Sequence, residues 1–133
     1  MIVLDTHALI WWVSDDQRLS LKARKAIEDE MNDDDGHIVV SSISTWEIAM
    51  LISKGRLALT MDIDEWIATV ADIPGVQFTP LDNGVAIQSV RLPGEFHADP
   101  ADRMITALAR HLSAPLVTGD EKIRAYKHVN TVW

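Results

Sequence analysis

Apolar positions along the chain fall into two patterns that alternate from end to end. Residues 2–4, 37–40, 76–79, 116–117 and 129–132 are short runs rich in Val, Ile and Leu, bounded by polar or turn residues. Runs of that length and composition predict buried strands. Between them lie stretches whose apolar residues recur at helical spacing. These predict helices over residues 8–13, 19–31, 44–52, 62–72 and 82–90, a helix opened by Asp99 and Pro100, and a short one from Asp120 to Tyr126. Gly36, Lys54-Gly55, Pro74-Gly75 and Pro93-Gly94 punctuate the pattern. Strands alternating with helices predict an α/β fold, a parallel sheet of four to five short strands with helices on both faces.

In such a fold ligands gather at the carboxyl ends of the strands. Asp5 follows the first strand directly, Asp120 follows Leu116-Val117-Thr118, and Glu47 comes a few residues after Val40. Asp102 is carried by its own helix. Pro100 is placed to open that helix and Asp99 to cap it, with Ile105, Ala107, Leu108 and Leu112 on an apolar face behind. The order allows four carboxylates to converge at one sheet edge.

Composition narrows what such an edge does. The 133 residues fit one domain spanning 1–133, and 47 % apolar content supplies a core. There is no cysteine, which excludes disulfides, thiol catalysis and cysteine zinc sites and makes a reducing cytoplasm the expected setting. No apolar run approaches the ~20 residues of a membrane span, and Met1-Ile-Val-Leu-Asp5 lacks the basic start of a signal peptide. The net charge of −8 argues against a broad basic face, though not against contact with phosphates through bound metal. Glu28-Asp29-Glu30 and Asp33-Asp34-Asp35 read as solvated surface, and so does the small basic cluster Lys22, Arg24, Lys25.

Several carboxylates without histidine or cysteine company make a hard, all-oxygen site, suited to Mg²⁺ or Mn²⁺. The histidines at 7, 37, 97, 111 and 128 contain no i, i+4 pair, so a zinc-protease pattern is absent. Crowded acids repel, so metal-free protein should raise the pKa of at least one. The natural use of such a pocket is phosphoryl chemistry. Each acid also has a local explanation. Asp5 caps the next helix, Ser44-Thr-Trp-Glu47 matches a capping box, Asp99 and Asp120 are good N-caps, and Asp102 suits a helix dipole. Against these stand the apolar settings of Asp5 and Glu47 and the scarcity of basic residues beside them, since burying an unmatched charge is costly.

Four blocks in order carry a resemblance. They are Leu4-Asp5-Thr6-His7-Ala8-Leu9, then Ser41-Ser-Ile-Ser44-Thr-Trp46-Glu47 with Lys54-Gly55-Arg56, then Leu92-Pro93-Gly94 with His97-Ala-Asp99-Pro100-Ala-Asp102-Arg103, and Leu116-Val117-Thr118-Gly119-Asp120-Glu121. Together the chain resembles the PIN-domain ribonucleases, specifically the VapC-type toxins of toxin–antitoxin pairs. The resemblance implies the PIN-like form of the α/β fold. It implies Asp5, Glu47, Asp102 and Asp120 as catalytic, metal-binding acids, with Thr6, Ser44, Asp99, Arg103 and Thr118 in support. It further implies Mg²⁺, with Mn²⁺ able to substitute, endonucleolytic RNA cleavage by metal-activated water, a homodimer, and a cognate antitoxin that inserts a segment near the pocket.

Gly119 departs from many relatives, which carry a larger and often basic residue there, so no phosphate contact is expected from it. Arg103 is either a cation of the site or a salt-bridge partner of Asp99. Trp11 and Trp12 are adjacent and cannot face the same way on a helix, which suits either an interface or two core contacts. Two other readings compete. An aspartyl-phosphate phosphatase would carry a second Asp two residues after Asp5, where this chain has His7. A catalytically silent PIN-shaped binding module would lack one or more of the acids, and all four are present.

Overall fold

The structure, a computed structural model, describes residues 1–133. The elements in order are β1 (Ile2–Leu4), α1 (Thr6–Val13), α2 (Leu21–Asn32), β2 (Ile38–Ser41), α3 (Ser42–Ser53), α4 (Ile63–Ala71), β3 (Val76–Thr79), α5 (Asn83–Ser89), α6 (Pro100–His111), β4 (Leu116–Val117), α7 (Glu121–Arg124) and β5 (Thr131–Val132). The strands form one sheet in the order β3-β2-β1-β4-β5, and every pairing is parallel. This is the doubly covered parallel sheet that the alternation predicts. β1 reads as a continuous apolar run because, as the central strand, it is buried on both faces.

Side chains of successive strand residues point to opposite faces, and the two cores sort accordingly. Leu4, Val40 and Val117 pack on one face with Leu9 of α1, Ile27 of α2, Ile48 of α3 and Val70 of α4. Val3, Val39 and Leu116 pack on the other with Val85 of α5, Ile105 and Leu108 of α6, and Ile123 of α7. Each fully buried aliphatic side chain contributes roughly 1.5–3 kcal/mol. The register sets Leu4 beside Val40 on one side and Val117 on the other. The three chain ends that follow, Asp5, Ser41 and Thr118, therefore leave the sheet at one edge.

Most predicted boundaries shift by a residue or two, and four of the differences have a visible cause. α1 begins at Thr6, two residues early, because Asp5 is its N-cap and accepts the Thr6 amide at 2.8 Å. α3 begins at Ser42, capped by Ser41, whose hydroxyl accepts the Ile43 amide at 3.2 Å. The capping box at Ser44 and Glu47 therefore does not form. β2 runs straight into the helix, so the cap falls on the strand's last residue and Ser44 lies inside the first turns. α7 stops at Arg124, and Tyr126 beyond it is buried with its hydroxyl donating to the Pro93 carbonyl at 2.5 Å. β5 covers only 131–132, since Val129 packs on the second core. The caps at Asp99 and Asp120 are as predicted, to the Asp102 amide at 2.9 Å and the Ile123 amide at 3.0 Å. No helix is long and apolar enough to cross a membrane.

Candidate active site

Asp5 sits at the C-terminal end of β1 and is only 3 % exposed. Both of its carboxylate oxygens are held. Oδ1 takes the Thr6 amide, and Oδ2 accepts the Thr118 hydroxyl at 2.8 Å. Thr118, fully buried after β4, also accepts the Asp120 amide at 3.1 Å. One hydroxyl thus ties the ends of two neighbouring strands together and orients two acids at once.

Glu47 projects from α3 on the other side of β1. Its Oε1 lies 2.5 Å from the Thr6 hydroxyl, which also meets the buried Ser44 hydroxyl at 2.8 Å. Thr6 has one hydroxyl proton, so it donates to the carboxylate while Ser44 completes the pair. Glu47, Thr6, Asp5, Thr118 and Asp120 form one hydrogen-bonded chain across three strand ends. Asp102 stands outside it, in the first turn of α6. Its Oδ2 lies 2.6 Å from His97 Nε2. With Asp120, Asp99, His97, Glu121 and Lys122 it lines a cleft of about 420 Å³.

Two of these acids, Glu47 and Asp102, are held above the usual carboxylate range. Glu47 is pushed up to about 7, first by burial and then by the charges of Asp5, Asp102 and Asp99, against the opposing hydrogen bond from Thr6. Asp102 is pushed up to about 6, again first by burial, with Asp5, Asp99 and Asp120 adding repulsion and the His97 contact opposing it. Glu47 feels the charge of Asp5 and Asp102, and Asp102 feels that of Asp5 and Asp120. The only basic side chains beside them are histidines, His97 on Asp102 and His7 with Nδ1 at 3.6 Å from Asp5 Oδ2.

Sequence reasoning passed over both histidines as site residues. His97 lies in the third block and His7 in the first, yet neither belongs to a helical pair, the signal searched for. His7 Nε2 accepts the Gly119 amide at 2.8 Å, so its ring joins β1 to the β4 end. Its ring also packs edge-on to Trp11 and Trp133, with centroids 5.0 and 5.6 Å away. Gly119 is required by this packing, because a Cβ there would lie 2.6 Å from the Trp133 ring. That close approach is the structural reason this chain has no larger residue at 119.

Arg103 takes neither expected role. Its guanidinium donates to the carbonyls of His97, Ser89 and Phe96, at 2.9, 3.0 and 2.7 Å. It braces the loop before α6 and makes no bridge to Asp99. Ser44 supports the site through Thr6. Asp99 acts as the α6 cap and adds negative charge. Trp11 packs on His7 and Trp133, under Arg18 at 4.7 Å, and Trp12 packs against the first core. Arg24 and Lys25 pair with Asp15 and Asp29, as expected for a solvated face.

The donor set fits a hard divalent cation by its chemistry. It is all oxygen, its charges repel, and Glu47, Asp102 and Asp120 each keep one carboxylate oxygen without a protein partner. No three of these side chains close on a single point. A small cation that retains most of its waters is held by one or two carboxylates and needs no closed cage.

The PIN domain family model matches residues 2–129. Ribonuclease VapC22 of Mycobacterium tuberculosis is 36% identical over 135 residues, which cover 99% of this chain and 98% of that protein. Among solved structures, VapBC2 from Rickettsia felis bound to a promoter DNA fragment superposes with a TM-score of 0.71 at 16% identity, over 98% of this chain and 97% of that one. A toxin–antitoxin complex from Klebsiella pneumoniae superposes with a TM-score of 0.64 at 16% identity, over 97% and 95%. The solved structures share the fold, and the family model and the VapC22 identity extend across nearly the whole sequence. The chain belongs to the PIN-domain family, among its VapC ribonucleases.

Proposed function

We propose that this chain is an endoribonuclease, the toxin of a toxin–antitoxin pair, which hydrolyses RNA phosphodiesters at the pocket of Asp5, Glu47, Asp102 and Asp120. The observation that carries the reading is the chain of hydrogen bonds through Thr6 and Thr118, which ties the carboxylates of Glu47 and Asp5 to the backbone of Asp120, with Asp102 within reach of the charges of Asp5 and Asp120. The 36% identity to a ribonuclease over the whole chain supports the activity, and the shared fold with the Klebsiella toxin–antitoxin complex supports an antitoxin partner. A homodimer, a cytoplasmic setting and a single domain over 1–133 complete the reading, the last because both cores pack on one sheet.

Mg²⁺, or Mn²⁺ in its place, is the cation this oxygen set suits. When bound it supplies an activated water and neutralises charge developing on the phosphate. The protein's residues do the rest. The carboxylates of Asp5, Glu47, Asp102 and Asp120 would hold the ion, one or two directly and the others through its waters. Thr6 and Thr118 fix the carboxylate planes, a role whose loss typically costs about 10–100-fold. His97 keeps Asp102 turned toward the pocket.

The test is cleavage of structured RNA by purified, antitoxin-free protein with Mg²⁺ or Mn²⁺, and with EDTA. Asp5→Asn and Asp102→Asn run beside it. Metal-dependent cutting that falls by at least about a hundredfold in both variants is expected. Cutting indifferent to EDTA and to both substitutions would overturn the assignment.

A further inference from the structure

A larger cleft, of about 720 Å³, adjoins the acidic one between the loop before α6 and the segment that follows α7. The two share His97 and Lys122 in their linings. Phe96 and Tyr126 form its apolar wall, with ring centroids 4.9 Å apart, edge to face. Lys122, Lys127 and His128 stand around it, and Glu95 is its one acid.

The charge is out of character for the chain. Net charge is −8, and three cations elsewhere are matched by an acid, Arg18 by Asp16, Arg24 by Asp15 and Lys25 by Asp29. Lys122 and Lys127 are exposed and meet no acid. Arg103 on the same wall is spent on backbone carbonyls, so it shapes the cleft without offering its charge. Unmatched lysines beside aromatic rings, opening onto carboxylates, form the pattern of a groove that tracks a single nucleic-acid strand.

We infer that this cleft is the RNA-strand subsite next to the cleaved bond, with Lys122 and Lys127 contacting backbone phosphates on one side of it. Lys122 lines both clefts and so serves the phosphate nearer the acids, while Lys127 serves one farther along. The inference rests on the ribonuclease reading for the identity of its ligand. It explains how a strongly acidic protein approaches a polyanion: two unmatched lysines line a groove that leads to the acids.

The experiment is salt-dependent binding of a fluorescent oligouridylate of about twelve nucleotides to Asp5→Asn protein in Mg²⁺, from about 50 to about 200 mM salt. Lys122→Ala with Lys127→Ala is compared with Lys122→Arg with Lys127→Arg, and with Lys22→Ala on the exposed face of α2. Each phosphate contact to a single strand adds about 0.7 to the log–log salt slope, so losing two lowers it by ~1.4. Binding at the lowest salt is expected to weaken about tenfold. The arginine pair keeps the slope, and Lys22→Ala leaves it unchanged. A slope unmoved by the double alanine variant, or moved as much by Lys22→Ala, overturns the inference. RNA cutting by the unsubstituted protein is measured alongside. Acid-dependent cutting with an unmoved slope fails this inference alone. A moved slope without cutting fails the ribonuclease reading and leaves the cleft as an RNA-binding groove.

Discussion

Glu47→Gln should stabilise the metal-free protein, and only above mildly acidic pH. Glu47 is raised from its ordinary 4.5 to about 7 by burial and by Asp5, Asp102 and Asp99. The folded state therefore binds more protons than the unfolded one between those values, and stability falls as pH rises through that window. Below about 4.5 the penalty is absent, and above about 7 it is complete. At ~1.4 kcal/mol per pH unit the displacement corresponds to roughly 3 kcal/mol. The carboxyl is partly solvated, and screening reduces this to about 1–2 kcal/mol. Glutamine keeps the oxygen that accepts from Thr6 and removes the charge.

For a chain of this size that difference raises Tm by about 3–8 °C. The assay is thermal unfolding followed by circular dichroism in EDTA, at about pH 5 and about pH 8. The gap between variant and parent should be small at the lower pH and open at the higher. Saturating Mg²⁺ should then reverse the order, because an ion bound at a hundred times its Kd stabilises the parent by ~2.7 kcal/mol. A gap equal at both pH values, or a Glu47→Gln protein less stable at each, would refute a strained carboxylate at this position.

Three further outcomes follow from particular contacts. Thr118→Val keeps shape but leaves Asp5 Oδ2 and the Asp120 amide without their partner. It should lower the unfolding free energy from denaturant titration by about 1–3 kcal/mol and raise the metal concentration needed for half-maximal cutting by about 10–100-fold. Gly119→Ala drives a methyl to 2.6 Å from the Trp133 ring and should cost about 1–3 kcal/mol; in a double-mutant cycle, Trp133→Ala should recover most of that loss. Arg103→Lys loses the fork on three carbonyls and should destabilise by about 2–3 kcal/mol in urea unfolding. The salt slope of RNA binding should not change, since Arg103 offers no charge to phosphate.

The middle of the sheet was legible because β1, β2 and β4 are short and buried along their length. Ile2–Leu4 and Ile38–Ser41 are buried along their whole length, and a fully buried strand is a continuous apolar run. Misreadings cluster where one residue serves two elements. Asp5-Thr6 looks like the polar end of a strand, and it is also the first turn of α1. Ser44 and Glu47 have the spacing of a capping box, but β2 flows into α3 without a loop and the cap falls on Ser41. Val129 has strand composition, yet it is taken by the second core before β5 begins. Local spacing cannot report such competition, because tertiary packing decides it.

The acids were legible for a related reason. A carboxylate directly after an apolar run has no local means of escaping burial, so sequence alone marks Asp5 as costly. What sequence could not supply is the set of partners that make the cost tolerable. His97 and Asp102 are five residues apart and meet only because the loop before α6 is pulled in by Arg103. Thr118 and Asp5 are 113 residues apart and meet only through the β1–β4 pairing. These contacts oppose the protonation that burial and crowding favour. Thr6 and His97 hold Glu47 and Asp102 toward the charged form, while desolvation pulls the other way and wins in both cases. The pocket is therefore a place where folding stability is lost for want of a counter-charge. Cation binding and RNA approach draw on the same electrostatic deficit, and that deficit links the stability of this protein to its chemistry.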